Sequence, residues 1–219
     1  MKLIILTCFS KQILNNLTVI KLSHSQNLRN TPNFTRIPNL QKIYLEGCTN
    51  LIEVHSFVAV LKRLIFMDLK DCIRLRSLPS RIETESLEIL IISGCSNVKV
   101  ILDNVENMQQ LSELYLNGTA IKELPSSIEH LTGLTVLDLS HCKNLLYLPG
   151  TIIRLESLKE PYVFGCSKLA KFEDHEIAST HEPEIELIYS KTPVSSHAHE
   201  TKDVEISSGV ETESVFFSN

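Results

Sequence analysis

Tryptophan is absent from this chain, and glycine is scarce, with seven residues in 219. So few glycines cannot furnish a glycine-rich nucleotide loop, and no G-x-x-x-x-G-K, G-x-S-x-G or H-E-x-x-H pattern occurs. Six cysteines are present without a single C-x-x-C pair, which excludes a zinc site of familiar spacing. Basic charge is not in excess: 21 Lys and Arg stand against 26 Asp and Glu, for a net charge of −5. The electrostatic footprint of a nucleic-acid binder is therefore missing, and no nucleic-acid partner is expected. No apolar run approaches the ~18 residues that would span a bilayer, so no membrane partner is expected either. The opening stretch from Leu3 to Phe9 is an apolar run of about seven residues, at the bottom of the range for a signal peptide, and no small-residue cleavage site follows it. Three glycosylation sequons, at Asn16, Asn33 and Asn117, are about as many as chance supplies and decide nothing.

What is present is a phrase repeated seven times. A leucine is followed by two residues, an aliphatic, one residue, another aliphatic, and then usually a cysteine three places on. Its clearest copies are Leu64-x-x-Met67-x-Leu69-x-x-Cys72 and Leu134-x-x-Leu137-x-Leu139-x-x-Cys142. The phrases start at Leu17, Leu40, Leu64, Leu87, Leu111, Leu134 and Leu158, at successive offsets of 23, 24, 23, 24, 23 and 24. A period so regular predicts a stacked repeat array, in which each unit is too small to bury its own apolar face. Leu137 and Leu139 are two apart and share one side of a short strand, while Val136, Asp138 and Ser140 take the other. Seven such strands, parallel and about 4.8 Å apart, give a sheet roughly 30 Å long. The Leu-Pro pairs at Leu78-Pro79, Leu124-Pro125 and Leu148-Pro149 turn the chain into return segments. These are too short for free helices, so one-turn helices, 3₁₀ turns or irregular loops are expected.

The cysteine slot holds Cys48, Cys72, Cys95, Cys142 and Cys166, with Thr119 and Ser25 as substitutes. A small residue with a weak donor suits a buried turn, so these residues read as a structural ladder of free thiols rather than metal ligands or disulfides. Gly47, Gly94, Gly118 and Gly165 stand one place earlier, where they serve backbone geometry; His24 and His141 share that position as loop-edge residues. No cofactor and no catalytic constellation is expected. His197 and His199 lie in a polar stretch and read as solvated.

The array is imperfect. Only Ala120 separates Thr119 from Ile121, where the cysteine repeats have two residues. Pro161 takes the central position of the seventh strand and cannot donate to a ladder, so that strand should be weak. Residues 1–16 have apolar content but no phrase, and read as a partial repeat or cap. Residues 17–172 carry the repeats. Residues 173–219 lose the periodicity and are rich in Glu, Ser and Thr; they read as a disordered tail whose Val215-Phe216-Phe217 cluster has no evident partner.

Function then falls to the outward strand positions. One column reads Lys21, Tyr44, Asp68, Ile91, Tyr115, Asp138, Tyr162, and the column two residues earlier reads Val19, Lys42, Phe66, Ile89, Glu113, Val136, Glu160. Large, partly apolar side chains on a wet face mark protein contacts. Tyr44, Phe66, Asp68, Ile91, Glu113, Tyr115, Asp138 and Tyr162 are the candidate binding residues.

The phrases Leu45-Glu46-Gly47-Cys48-Thr49-Asn50-Leu51, Leu116-Asn117-Gly118-Thr119-Ala120-Ile121-Lys122-Glu123-Leu124-Pro125 and Leu137-Asp138-Leu139-Ser140-His141-Cys142 carry a resemblance. They are similar to the leucine-rich repeats of plant intracellular immune receptors of the Toll/interleukin-1-receptor, nucleotide-binding, leucine-rich-repeat class, over about residues 17–172. The resemblance implies an α/β leucine-rich repeat solenoid with a concave parallel sheet. It implies a recognition and autoinhibition module without enzymatic activity, in the cytoplasm or nucleus. Its implied partners are a pathogen effector or a guarded host protein, and the receptor's own nucleotide-binding domain. No P-loop precedes Leu17, so nucleotide binding and NAD cleavage transfer to no residue here; a truncated receptor with only a packing role is the alternative. An extracellular ectodomain is disfavoured, because the N-x-L-x-G-x-I-P phrasing of such repeats is absent.

Overall fold

The computed structural model describes residues 13–56, 58, 61–79, 84–101, 108–170 and 213–216. Short strands recur once per phrase: β1 (Leu17–Lys21), β2 (Lys42–Tyr44), β3 (Phe66–Asp68), β4 (Ile89–Ile91), β5 (Glu113–Tyr115) and β6 (Val136–Asp138). Each pairs in parallel with the next. The register aligns Ile20, Ile43, Met67, Leu90, Leu114 and Leu137 in one inward column. All six are buried, as are the strand-end residues Leu22, Leu45, Leu69, Ile92, Leu116 and Leu139. Stacking turns these rows into one continuous apolar core, which no single rung could form alone.

The seventh rung is reduced to a single parallel bridge between Asp138 and Tyr162. Tyr162 makes the bonds to β6, with its N–H donating to the Leu137 carbonyl at 2.9 Å and its carbonyl accepting from Leu139 at 2.8 Å, while Pro161 beside it has no N–H for a further rung. Beyond β1 the sheet gains a strand from far along the chain: β7 (Glu213–Phe216) pairs in parallel with β1, with Phe216 opposite Lys21. The sheet order is β6-β5-β4-β3-β2-β1-β7. In the segment that had no evident partner, the backbone of Val215 and Phe216 thus pairs with Ile20 and Lys21. The remaining residues of the tail, and residues 1–12 of the N-terminal segment, lie outside the described residues. At the N-terminal side Leu14 packs against the core and its N–H donates to the Arg36 carbonyl.

The return segments after Pro125 and Pro149 form 3₁₀ turns at Ser126–His130 and Gly150–Arg154. In both, proline holds the entry residue extended, at φ −66° and −64°, and Ile128 or Ile152 plugs the turn into the core. No helix among the described residues is long and apolar enough to cross a membrane.

Candidate functional site: the outward strand face

The parallel register places the two outward columns as the alternation requires. Lys21, Tyr44, Asp68, Ile91, Tyr115 and Asp138 are successive partners, and Val19, Lys42, Phe66, Ile89, Glu113 and Val136 form the neighbouring column. The structure therefore brings seven of the candidate residues onto consecutive rungs, with Tyr162 added by the last bridge. Short strands of three residues expose only these two columns, because the third outward position already belongs to the turn.

The face changes character along its length. At the β1–β3 end the Lys21 ammonium sits 5.3 Å from the centre of the Tyr44 ring, and Tyr44 stacks on Phe66 with centroids 4.9 Å apart. Ile89 and Ile91 continue the apolar strip, half-buried. At the β5–β6 end the Tyr115 hydroxyl donates to Glu113 at 2.9 Å. Burial, and then that bond to a carboxylate, push the Tyr115 phenol well above its ordinary value, so it remains a proton donor. Tyr162 is exposed at 37% and half closes the far end.

Asp68 departs from the rest. It stands in the outward column but is only 9% exposed, and its Oδ1 accepts the Lys70 backbone N–H at 2.9 Å. Burial raises its pKa, opposed in part by that hydrogen bond. Asp138 makes the same bond to the Ser140 N–H at 2.8 Å. Both aspartates thus close the end of their own strand, and Asp68 has little surface left for a partner. Beside Asp68, Glu46 and Lys70 form an ion pair at 3.3 Å across the third outward position.

Behind the face runs the slot ladder. The thiols of Cys48, Cys72, Cys95, Cys142 and Cys166 donate to the carbonyls of Leu22, Leu45, Leu69, Leu116 and Leu139, each on the preceding rung, at 3.1–3.2 Å. All five are free thiols. Burial pushes them up, to about 11 at Cys166 and about 12 at Cys95, so they stay protonated and are poor nucleophiles and metal ligands. Thr119 instead donates to Leu116 within its own rung at 2.7 Å and contacts Cys142 Sγ. No group of three or more His, Cys, Asp or Glu side chains able to hold a metal occurs among the described residues. A depression lined by Ile65, Glu85, Ser86, Glu88, Gln109 and Gln110 lies at the edge where strands begin, and it gathers no catalytic set.

Beyond the two columns stands a rim. The residue before the slot adopts left-handed backbone on every rung: His24, Gly47, Asp71, Gly94, Gly118, His141 and Gly165 have φ between 57° and 74°. Their N–H groups extend the ladder past the strands, for example from Gly94 to the Asn117 carbonyl at 2.8 Å. They form a rim at the carboxyl ends of the strands. Where a side chain is present it lies over the next rung: a Cβ on Gly47 would meet His24 Nδ1 at 2.2 Å, and one on Gly94 would meet Asp71 Oδ1 at 2.1 Å. The alternation of bulky residue and glycine was visible in the sequence, but not the contact that causes it.

Residues 83–185 match the family described as the leucine-rich repeats of disease resistance proteins like RPS4B. Disease resistance protein RPP2A of Arabidopsis thaliana is 42% identical over 62 residues, which are 28% of this chain and 5% of that protein. The TMV resistance protein N of Nicotiana glutinosa is 42% identical over 59 residues, 27% of this chain and 5% of that protein. The matched segments are thus a small part of these relatives' length. Among solved structures, a leucine-rich repeat protein of Leptospira interrogans superposes with a TM-score of 0.53 at 27% identity, covering 74% of this chain and 45% of that one.

Proposed function

From the premise that this chain carries leucine-rich repeats of the plant disease-resistance type, we propose that it is a recognition module of an intracellular plant immune receptor. Its concave strand face would bind a pathogen effector or a guarded host protein in the cytoplasm or nucleus. A second surface would pack on the receptor's nucleotide-binding domain and hold it at rest. The observation that carries this reading is the unbroken outward strip Tyr44, Phe66, Ile89, Ile91 and Tyr115 on consecutive strands. Aromatic and aliphatic groups on a half-exposed, rigid sheet are the composition of an interface core rather than of ordinary surface. The repeat fold is a protein-interaction architecture, and its slot thiols, kept protonated by burial, are poor nucleophiles.

The test is binding. Phe66→Ala and Tyr115→Ala should each weaken capture of a protein partner in pull-downs by about tenfold, a hot-spot-sized effect. Circular dichroism melting should be little changed, because both side chains stand outside the core. If both variants capture every partner as the parent chain does, the face is not the interface.

A further inference from the structure

The rim of left-handed residues is not uniform, and its one gap lies beside the apolar strip. Asp71 and His141 stand exposed on the β3 and β6 rungs. Between them the two intervening rungs both carry glycine, at Gly94 and Gly118, the only consecutive glycine pair in this column. The other glycines of the column are each roofed by the side chain before them, Gly47 by His24, Gly94 by Asp71 and Gly165 by His141. Gly118 is not: the nearest atoms to a Cβ there are the Gly94 Cα and N at 3.6 Å. Because the Asp71 carboxylate covers Gly94, the rim is cut down over Gly118 alone, between that carboxylate and His141, for two strand spacings, about 10 Å, which admits an extended segment. The Ser93 hydroxyl and Asn117 side chain bond to each other across the floor of this gap.

Charge on the strands of this half of the face has one sign. The outward positions of β4 to β6 hold Ile89, Ile91, Glu113, Tyr115, Val136 and Asp138, with no lysine or arginine, and Lys143 stands exposed only in the turn after β6. Asp71 adds a further carboxylate at the wall of the gap. The lysines of the outward columns, Lys21 and Lys42, lie on β1 and β2, and Lys70 is paired with Glu46.

Resting on the protein-binding reading above, we infer that the gap over Gly118 is where a partner segment crosses onto the face, and that this segment carries a basic side chain next to an apolar or aromatic one. The apolar group lies on Ile89, Ile91 and Tyr115, and the lysine or arginine meets Glu113. Half-buried placement strengthens that ion pair relative to a surface one, and it selects against acidic segments.

The experiment pans a phage-displayed library of random peptides on the folded full chain and measures the affinities of the enriched peptides. Gly118→Asn refills the gap with little strain, because asparagine tolerates left-handed backbone and the Cβ has room. Glu113→Lys reverses the charge without touching the rim. Enriched peptides should pair Lys or Arg with an aliphatic or aromatic residue. Their affinity should fall at least tenfold in either variant and stay unchanged in Arg154→Ala, on the opposite return segment. Absence of enriched peptides, enrichment without a basic residue, or equal binding to both variants overturns the inference. Loss of binding in Phe66→Ala and Tyr115→Ala with full binding to Gly118→Asn and Glu113→Lys would overturn it while leaving the strand face as the interface.

Discussion

At the scale of single residues, the slot cysteines are polar atoms placed inside where a neighbouring rung can receive them. Each slot thiol reaches the carbonyl behind it, which already accepts the slot N–H of its own rung, so a small weak donor fills the second acceptor site of a buried carbonyl. Ser25, the slot residue of the first rung, shows the converse: among the described residues its Oγ has no partner. Asp68 is the costly case. Its raised pKa means that the folded chain holds the carboxyl proton more tightly than the unfolded chain does. Between the ordinary carboxylate range and the folded pKa, rising pH therefore lowers stability, and at pH 7 the ionised carboxylate is a net burden. Asp68→Asn keeps an oxygen for the Lys70 N–H and removes the charge. It should raise the urea midpoint at pH 7, and the advantage should vanish below about pH 4, where both states are protonated. A variant less stable than the parent at pH 7 would show instead that the charge is compensated.

At the scale of the element, a rung is a short strand, one left-handed residue and a slot. The left-handed residue reverses the chain, and its side chain restricts what the next rung can carry. Gly118→Ala should cost about 1–2 kcal/mol, the price of left-handed backbone for a residue with a Cβ. Gly94→Ala should cost more, because its Cβ must also displace Asp71 Oδ1. Combining Gly94→Ala with Asp71→Gly should recover that excess, giving a coupling energy of about 0.5 kcal/mol or more in a double-mutant cycle of urea unfolding. Strict additivity would mean that the Asp71 side chain simply turns away.

At the scale of the whole molecule, the array grows by adding parallel strands, so its ends are its weak points. At one end Pro161 ends the ladder and leaves Leu158, Cys166 and Leu169 only partly buried. At the other, β7 covers the edge of β1. An uncovered strand edge presents unpaired N–H and C=O groups to any other chain. A chain ending at residue 212 should therefore associate as its concentration rises in sedimentation velocity, while the full chain remains monomeric under the same conditions. Identical sedimentation of the two would show that β7 does not protect the edge.

The sequence by itself determined the repeat, its period, the inward and outward columns and the buried slot. Each of these follows from a local pattern: two-residue alternation fixes which face a side chain takes, and a fixed offset aligns the rungs. The weak seventh strand was legible too, because proline lacks a donor wherever it stands. Only the tertiary structure decided the burial of Asp68, the partner of the Val215-Phe216 segment, and the gap in the rim over Gly118. Those depend on contacts between side chains of different rungs, or between residues nearly 200 positions apart such as Leu17 and Glu213. The spacing of one rung carries no trace of what its neighbour's side chain will cover.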